Sequence, residues 1–98
     1  MDEYLNKLVL IRDHMAGILV GTLVGGDLVS GTWTLKNARK VHYWTRAAAA
    51  EGLAVTGDMG SGGRITPMVP LVSGRSLVQI IEDYGGCQKI LEAPVWTP

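Results

Sequence analysis

Lys7-Leu-Val-Leu-Ile-Arg12, Ile18-Leu-Val-Gly-Thr-Leu-Val24 and the run from Leu28 to Leu35 are the three segments that decide the fold. Each is short, rich in aliphatic and β-branched residues, and bounded by glycine or charged residues, which is typical of a strand. Asp13-His14-Met15-Ala16-Gly17 and Gly25-Gly26-Asp27 predict the turns between them. Three strands joined by such short turns predict an antiparallel meander.

Two further runs complete the predicted sheet. Asn37 is expected to end the third strand, and Ala38 to Thr45 is predicted as a fourth. Ser76 to Glu82 is predicted as a central strand because it is so apolar. A helix is the alternative for this run, but its short length and the glycines on both sides favour a strand. Gly21, inside the second strand, indicates a bulge or the close approach of another backbone.

Two helices are predicted in the second half of the chain. Four consecutive alanines favour a helix from Arg46 to Val55, with Gly57 as its C-terminal stop. Cys87 to Glu92 is predicted as a second, short helix. The stretch from Gly57 to Pro70, rich in Gly and Pro, is expected to be irregular. The predicted class is α+β: one domain over residues 1–98, with an antiparallel sheet of about five strands and two short helices.

Composition limits the possible partners. The chain has 98 residues, of which 47% are hydrophobic, so a packed core is expected. Its formal net charge of +0 argues against broad attraction to DNA, RNA or an anionic membrane. The apolar runs are too short for a membrane span, and the N-terminus has no signal-peptide pattern. A domain this small without disulfides or metals is expected to oligomerise.

The residues that catalysis requires do not fall into a recognisable arrangement. A hydrolase needs a nucleophile with a base, paired carboxylates or a metal site. His14 is interpreted as a turn residue and His42 as a strand surface residue. Cys87 is interpreted as a small packed residue, with a reactive thiol as the alternative. No catalytic residue, metal site or cofactor is predicted, and the sequence favours binding over catalysis.

The ten residues from Asn37 to Arg46 concentrate basic and aromatic side chains: three cationic groups, one histidine, Tyr43 and Trp44. Guanidinium groups suit phosphates and flat rings suit the bases of a nucleotide, so this stretch is a candidate ligand strand. The alternative is an ordinary strand with a polar face. In the irregular stretch, Arg64 and backbone N–H groups are candidates for a phosphate cradle. The alternative there is a flexible connector, since no nucleotide-binding glycine fingerprint is met.

Several segments together carry a family resemblance. They are Val9-Leu-Ile-Arg12, the run from Ala16 to Leu23, Leu35-Lys-Asn-Ala-Arg39 with Tyr43-Trp44, the pieces Glu51-Gly-Leu-Ala54, Gly57 and Arg64-Ile65, the proline-containing approach to the strand at Ser76–Glu82, and the ending Ala93-Pro-Val-Trp96. In these segments the chain resembles the small phage proteins of the first Thoeris anti-defence family, which act as sponges for immune signals. Asn-Ala-Arg followed by Tyr-Trp is the most specific part of the resemblance.

The resemblance implies a non-enzymatic phage protein that acts in the host bacterial cytoplasm. It implies an antiparallel sheet with short helices, assembled as dimers and then as a hexamer. The implied ligands are glycocyclic ADP-ribose, made by bacterial TIR enzymes of Thoeris, and the cyclic di- and trinucleotides of CBASS defence. The implied action is sequestration of the signal without cleavage.

The candidate ligand-binding residues are assigned by chemistry. Guanidinium groups are the expected phosphate partners, and Tyr43 and Trp44 are the expected stacking surfaces. The turn after the first strand is expected to form an apolar edge of the site. The full set is Arg39 and Arg64 first, then Arg46 and Arg75; Tyr43 and Trp44; Met15, Ala16 and Gly17; Gly62 and Gly63 as N–H donors; and Asn37. One 98-residue subunit can hardly enclose a nucleotide, so pockets shared between subunits are expected. The alternative functions are a phage structural or protein-interaction module and a small nucleotide hydrolase.

Overall fold

A computed structural model describes residues 1–44, 49–60 and 63–95 of the chain. Within these residues a six-stranded antiparallel sheet and two helices confirm the predicted α+β class. After a short 3₁₀ turn at Asp2–Tyr4, the elements are β1 (Leu8–Asp13), β2 (Gly17–Asp27), β3 (Thr32–Tyr43), α1 (Ala49–Thr56), β4 (Arg64–Ile65), β5 (Val69–Gly74), β6 (Leu77–Glu82) and α2 (Gly86–Glu92). The strand order is β4-β3-β2-β1-β6, and β5 also pairs with β3.

The predicted third and fourth strands are one continuous strand, β3. Asn37 does not end the strand, because it lies in a β-bulge. Residue 20 of β2 pairs with residue 39 of β3 and residue 22 pairs with residue 36, so β3 has one extra residue at this point. Asn37 has a φ of 52°, a left-handed conformation that asparagine tolerates better than most residues. A Cβ on Gly21 would lie 3.0 Å from the Cβ of Ala38, which confirms the predicted close approach at this glycine.

The turn between β2 and β3 lies later than predicted. Gly25, Gly26 and Asp27 belong to β2, and the third strand begins at Thr32 instead of Leu28. The Asp27 carboxylate accepts hydrogen bonds from the backbone N–H groups of residues 29 and 30, and the N–H of Gly31 donates to the Asp27 carbonyl at 2.9 Å. An aspartate that binds its own backbone in this way can form the turn without glycine at the centre.

Both faces of the sheet centre are buried. One face forms a cluster enclosed by the curled sheet and by Met1, Tyr4 and Leu5 of the N-terminal turn. This sheet-enclosed cluster is made of Val9, Ile11, Leu19, Leu23, Trp33, Leu35 and Ala38. The other face packs against the two helices and comprises Leu10, Ile18, Val20, Val41, Ala50, Leu53, Ala54, Ile65, Cys87 and Ile90. Burial on both faces explains why β1 and β2 read as continuous apolar runs.

The prediction that the strand at Ser76 to Glu82 is central is wrong. β6 pairs with β1 alone in the described chain and lies at the edge of the sheet. Its apolar character has a different cause, since Leu77 and Ile80 pack on the sheet-enclosed cluster while Ile81 packs on the helix-covered one. β5 is also an edge strand, paired with β3.

The second half of the chain agrees in part with the prediction. Both helices form, and Gly57 ends α1 with a φ of 64° and a hydrogen bond from its N–H to the Leu53 carbonyl. The stretch predicted to be irregular contains β4 and the start of β5. Residues 45–48, which end the predicted fourth strand and open the predicted first helix, lie outside the described residues, as do residues 61–62 and Trp96.

Candidate functional site

A cavity of about 360 Å³ lies where the turn between β1 and β2 meets the short connection between β5 and β6. One wall is formed by Asp13, Met15 and Ala16, and the other by residues 73–76. We call residues 74–76 the corner and this space the corner cavity. Only two residues separate β5 from β6 at the corner, yet the two strands lead to different edges of the sheet. The corner is fixed in part by the Leu77 N–H, which donates to the Gly31 carbonyl at 3.0 Å.

Three of the predicted ligand-binding residues meet in this cavity: Met15, Ala16 and Arg75. Met15 lines the cavity and is 80% exposed, while Ala16 packs on the buried sheet-enclosed cluster. Arg75 is exposed and makes no hydrogen bond or ion pair with any residue of the described chain. The cavity therefore combines an available guanidinium group with a small apolar lip.

Asp13 lies at the base of the corner cavity and is 3% exposed. Burial by itself raises the pKa of this carboxyl group. Hydrogen bonds from the Trp33 indole and from the N–H groups of Ala16, Met15 and Ser76 outweigh burial, so the net effect is a lowered pKa. The sequence placed Asp13 in a turn, and an aspartate opening a five-residue turn is a signal for such backbone bonds. Its bonds to Trp33 and Ser76 depend on tertiary structure and had no local signal.

Tyr43 and Arg64 meet at the opposite end of β3. The two residues are register partners between β3 and β4, and the guanidinium carbon of Arg64 lies 5.7 Å from the centre of the Tyr43 ring. This distance is within the range of a cation–π interaction. β3 extends ten residues from Trp33, beside the corner, to Tyr43, which is roughly 30 Å along the strand. The pair and the corner cavity are therefore separate sites within one protomer.

Arg39 does not lie in an open ligand site, which corrects its first place among the predicted phosphate partners. It is 4% exposed, and its Nε donates to the Thr66 carbonyl at 2.8 Å. Its Nη1 donates to three carbonyls at the C-terminal end of α2: Ile90 at 3.3 Å, Leu91 at 3.0 Å and Ala93 at 2.5 Å. Burial lowers the pKa of Arg39, but a guanidinium group stays charged in a folded protein. Arg39 is thus a structural cap for α2.

The remaining predicted residues are dispersed. Trp44 is half-buried and lines a second cavity of about 230 Å³ together with Arg12, Ile18, Ala49 and Ala50. Asn37 forms the bulge of β3, and Gly17 begins β2 with a φ of 86°. The N–H of Gly63 donates to the Gly60 carbonyl at 3.2 Å, so it is not an open phosphate donor as predicted. Arg46 and Gly62 lie outside the described residues.

The cysteine prediction is confirmed. Cys87 is fully buried in the helix-covered cluster. Burial raises the pKa of its thiol to about 12, with a further contribution from the Asp83 carboxylate. A thiol with so high a pKa is a poor nucleophile at neutral pH, and Cys87 acts as a packed small side chain. Among the described residues, no group of three His, Cys, Asp or Glu side chains is placed to hold a metal ion.

These observations define a small α+β domain with a curled antiparallel sheet, two covering helices and an open cavity at one corner. The chain belongs to the family described as "Domain of unknown function (DUF6948)", whose model matches residues 6–88. No curated protein matches it. It is similar to a chain in a solved structure described as "Crystal structure of the NatC complex bound to CoA", at 22% sequence identity and a TM-score of 0.49, over 92% of this chain and 91% of that one. No helix in the described ranges combines the length and apolar character that crossing a bilayer requires.

Proposed function

We propose that this chain is a phage anti-defence protein that binds cyclic nucleotide immune signals in the host bacterial cytoplasm and withholds them without cleavage. The proposed ligands are glycocyclic ADP-ribose from Thoeris TIR enzymes and the cyclic di- and trinucleotides of CBASS. The observation that carries the proposal is the corner cavity, where Arg75 offers an unpaired guanidinium group beside Met15 and Ala16. The family resemblance described above supplies the ligand class.

The chemistry of the cavity suits part of a nucleotide. A guanidinium group binds a phosphate through charge-assisted hydrogen bonds. The Met15 thioether is polarizable and adapts to the face of an aromatic ring. The volume of about 360 Å³ falls in the lower range of small-molecule pockets.

The energy that sequestration requires argues for a shared site. A binder without turnover must hold its ligand tightly, and a Kd near 1 nM corresponds to about 12 kcal/mol. One arginine contributes roughly 1.5–3 kcal/mol and one stacked base roughly 1–3 kcal/mol. The corner cavity alone therefore falls short. We propose that Tyr43 and Arg64 of a second copy complete the site, because within one protomer they lie at the other end of β3.

The edges of the sheet offer a way to assemble such copies. β5 and β6 are each six residues long, and each pairs with one strand of the described sheet. Unpaired strand edges are templates for another chain. Leu71 on β5 is 63% exposed, and Val69 and Val78 are also exposed. We propose that the homo-oligomer, formed from dimers that assemble to a hexamer, uses these edges. These exposed apolar side chains are also the observation that favours the second candidate function, a protein-interaction module without a nucleotide ligand.

The proposal is tested first by ligand capture. In a thermal-shift and calorimetry screen with cyclic ADP-ribose isomers, cyclic di-AMP and cyclic triadenylate, at least one probe should raise the melting temperature. Arg75→Gln should raise the Kd for that probe by about ten- to a hundredfold. Lys89→Gln removes the same charge on α2 and should leave the Kd unchanged. Heating the complex should release the probe intact. Recovery of a cleaved product would establish an enzyme instead, and the absence of any binding would favour the interaction module.

Mixing variants tests whether the site is shared. If Arg75 and Arg64 serve one site from two copies, Arg75→Gln and Arg64→Gln should each bind weakly. Mixed and reassembled oligomers should then recover a fraction of tight sites, since some interfaces combine two intact arginines. No recovery, with exchange of subunits shown by native mass spectrometry, would place both arginines outside a common site.

The assembly surface has its own control. Leu71→Glu introduces a charge on the β5 edge and should shift the mass in light scattering toward the monomer. Val29→Glu makes the same change at a turn residue that is 96% exposed, and should leave the mass unchanged. A wild-type chain that is monomeric at high micromolar concentration would exclude the shared site.

A further inference from the structure

One buried carboxylate connects the two walls of the corner cavity. The Oδ1 atom of Asp13 accepts hydrogen bonds from the N–H groups of Met15 and Ala16, both at 2.8 Å. Its Oδ2 atom accepts from the Ser76 N–H at 2.9 Å and from the Trp33 indole Nε1 at 2.6 Å. Met15 and Ala16 belong to the turn wall and Ser76 to the corner wall. A second link supports this one, because the His14 N–H donates to the Ser76 carbonyl at 2.8 Å.

Only a carboxylate can make this set of bonds. All four groups that face Asp13 are donors, and an ionised carboxylate is an acceptor with two equivalent oxygens. An asparagine at this position would direct its own N–H₂ group at one of the two pairs of donors, so one wall would lose its attachment. The Trp33 indole also packs directly against the corner, since a Cβ on Gly74 would overlap the indole ring.

We propose that Asp13 is a positioning residue that sets the spacing between the Met15–Ala16 wall and the Arg75 wall, and thereby the size of the nucleotide that the cavity accepts. This inference rests on the proposed function, because it assumes that the cavity is a ligand site. Asp13 does not itself bind the ligand: its two oxygens are occupied by the four backbone and indole donors. It acts through the backbone that carries the contacting side chains.

The spacing of the walls can be measured without a ligand. Met15→Cys and Arg75→Cys place one thiol on each wall for nitroxide labelling, while Cys87 is buried and its pKa of about 12 leaves it unreactive. Continuous-wave electron paramagnetic resonance should show one narrow distance distribution. Asp13→Asn should broaden that distribution. Asp13→Glu keeps the charge on a longer side chain and should shift the distribution to a larger distance. This variant replaces Asp13→Asn as the test if the asparagine variant does not fold.

A matched control separates positioning from general stability. Arg39→Met should destabilise the chain at the far end of α2, yet leave the labelled distance unchanged. Trp33→Phe removes one donor but keeps both walls on the carboxylate, so it should also preserve the distance. Equal distances in the Asp13 variants and in the unsubstituted labelled chain would overturn the proposal, whatever the change in melting temperature.

Ligand selectivity, measured on chains without the labelling cysteines, provides the second test. Cyclic AMP and cyclic di-AMP serve as a small and a large probe in calorimetry. Asp13→Glu should shift the ratio of their Kd values toward the larger probe by about tenfold, and Arg39→Met should leave the ratio unchanged. A ratio unchanged in Asp13→Glu would refute the claim about size. Failure of the wild-type chain to bind any nucleotide would end the proposed function, while the distance measurement would still decide whether Asp13 sets the spacing.

Discussion

Two arginines show how differently the same side chain is used at two regions of this molecule. At the end of α2, Arg39 is buried and donates to four backbone carbonyls. At the corner, Arg75 is exposed and bonds to no described residue. Arg39 belongs to the more conspicuous basic and aromatic stretch, and Arg75 to a plain Ser-Gly-Arg-Ser connection. Hydrogen-bond availability, more than the local sequence pattern, decides which arginine can bind a ligand.

Arg39→Met is expected to have the largest effect on stability, and it tests whether Arg39 is structural and not a ligand-binding residue. It removes the guanidinium group from the C-terminal end of α2 and takes away the side-chain donor of the partly buried Thr66, Leu91 and Ala93 carbonyls. The free energy of unfolding should fall by about 3 kcal/mol, because each bond to a charged group is worth roughly 1.5–3 kcal/mol and unsatisfied acceptors add a penalty. Urea denaturation measures this loss. The affinity of the folded variant for a nucleotide should be unchanged, and a large loss of affinity would restore Arg39 to the binding site.

Gly74→Ala should have the next largest effect, because it tests how tightly the corner is packed. The added methyl group would overlap the indole of Trp33, which is buried and bonded to Asp13. Overpacking of this kind costs about 1–3 kcal/mol. Gly25→Ala is the matched control, since a Cβ at Gly25 meets no atom within 4 Å. Equal melting temperatures for the two variants would show that the corner relaxes easily and is a poor rigid wall.

The acid sensitivity of the corner gives a further contrast with the α2 end, where Arg39 does not titrate. The pKa of Asp13 is lower in the folded chain than in the unfolded chain, so the folded state binds its proton less readily. The stabilisation of the folded chain by the Asp13 carboxylate is therefore fully present above the pKa of aspartate in the unfolded chain, about 3.9. It is lost as the pH falls through the lower pKa of Asp13 in the folded chain. His14, which follows Asp13 in the turn, and Arg75 at the corner are the charged or titratable residues next to this carboxylate in the turn and the corner.

Melting temperatures measured from neutral pH down to about pH 2.5 test this effect. The gap in stability between the wild-type chain and Asp13→Asn should narrow as the pH falls. Asp2→Asn is the control, because the Asp2 side chain accepts no hydrogen bond from any described residue, and its stability gap should stay nearly constant with pH. A gap for Asp13→Asn that is constant across the range would mean that its carboxylate does not stabilise the corner.

The sequence predicted the parts of the fold that depend on local chemistry. Aliphatic runs located β1, β2 and β6, the alanines and Gly57 located the described part of α1, and Gly21 indicated the bulge. Three of the errors have a common cause. The pairing of β3 across Asn37, the edge position of β6 and the burial of Arg39 all depend on contacts between residues far apart in the chain. The same holds for the corner cavity, because Met15 and Arg75 are sixty residues apart and only the curled sheet brings them together.

The Tyr43–Arg64 pair should give the smallest effect, and it tests how firmly the structure holds a third arginine. An exposed cation–π interaction contributes about 0.5–1 kcal/mol. Tyr43→Leu, Arg64→Gln and the double variant form a cycle, and urea denaturation should give a coupling energy in this range. The cycle isolates the pair from any other contact of Arg64. A coupling energy above about 1.5 kcal/mol would mean that Arg64 is held as firmly as Arg39. The guanidinium group would then be structural, and a second copy would have to complete the corner cavity with other residues.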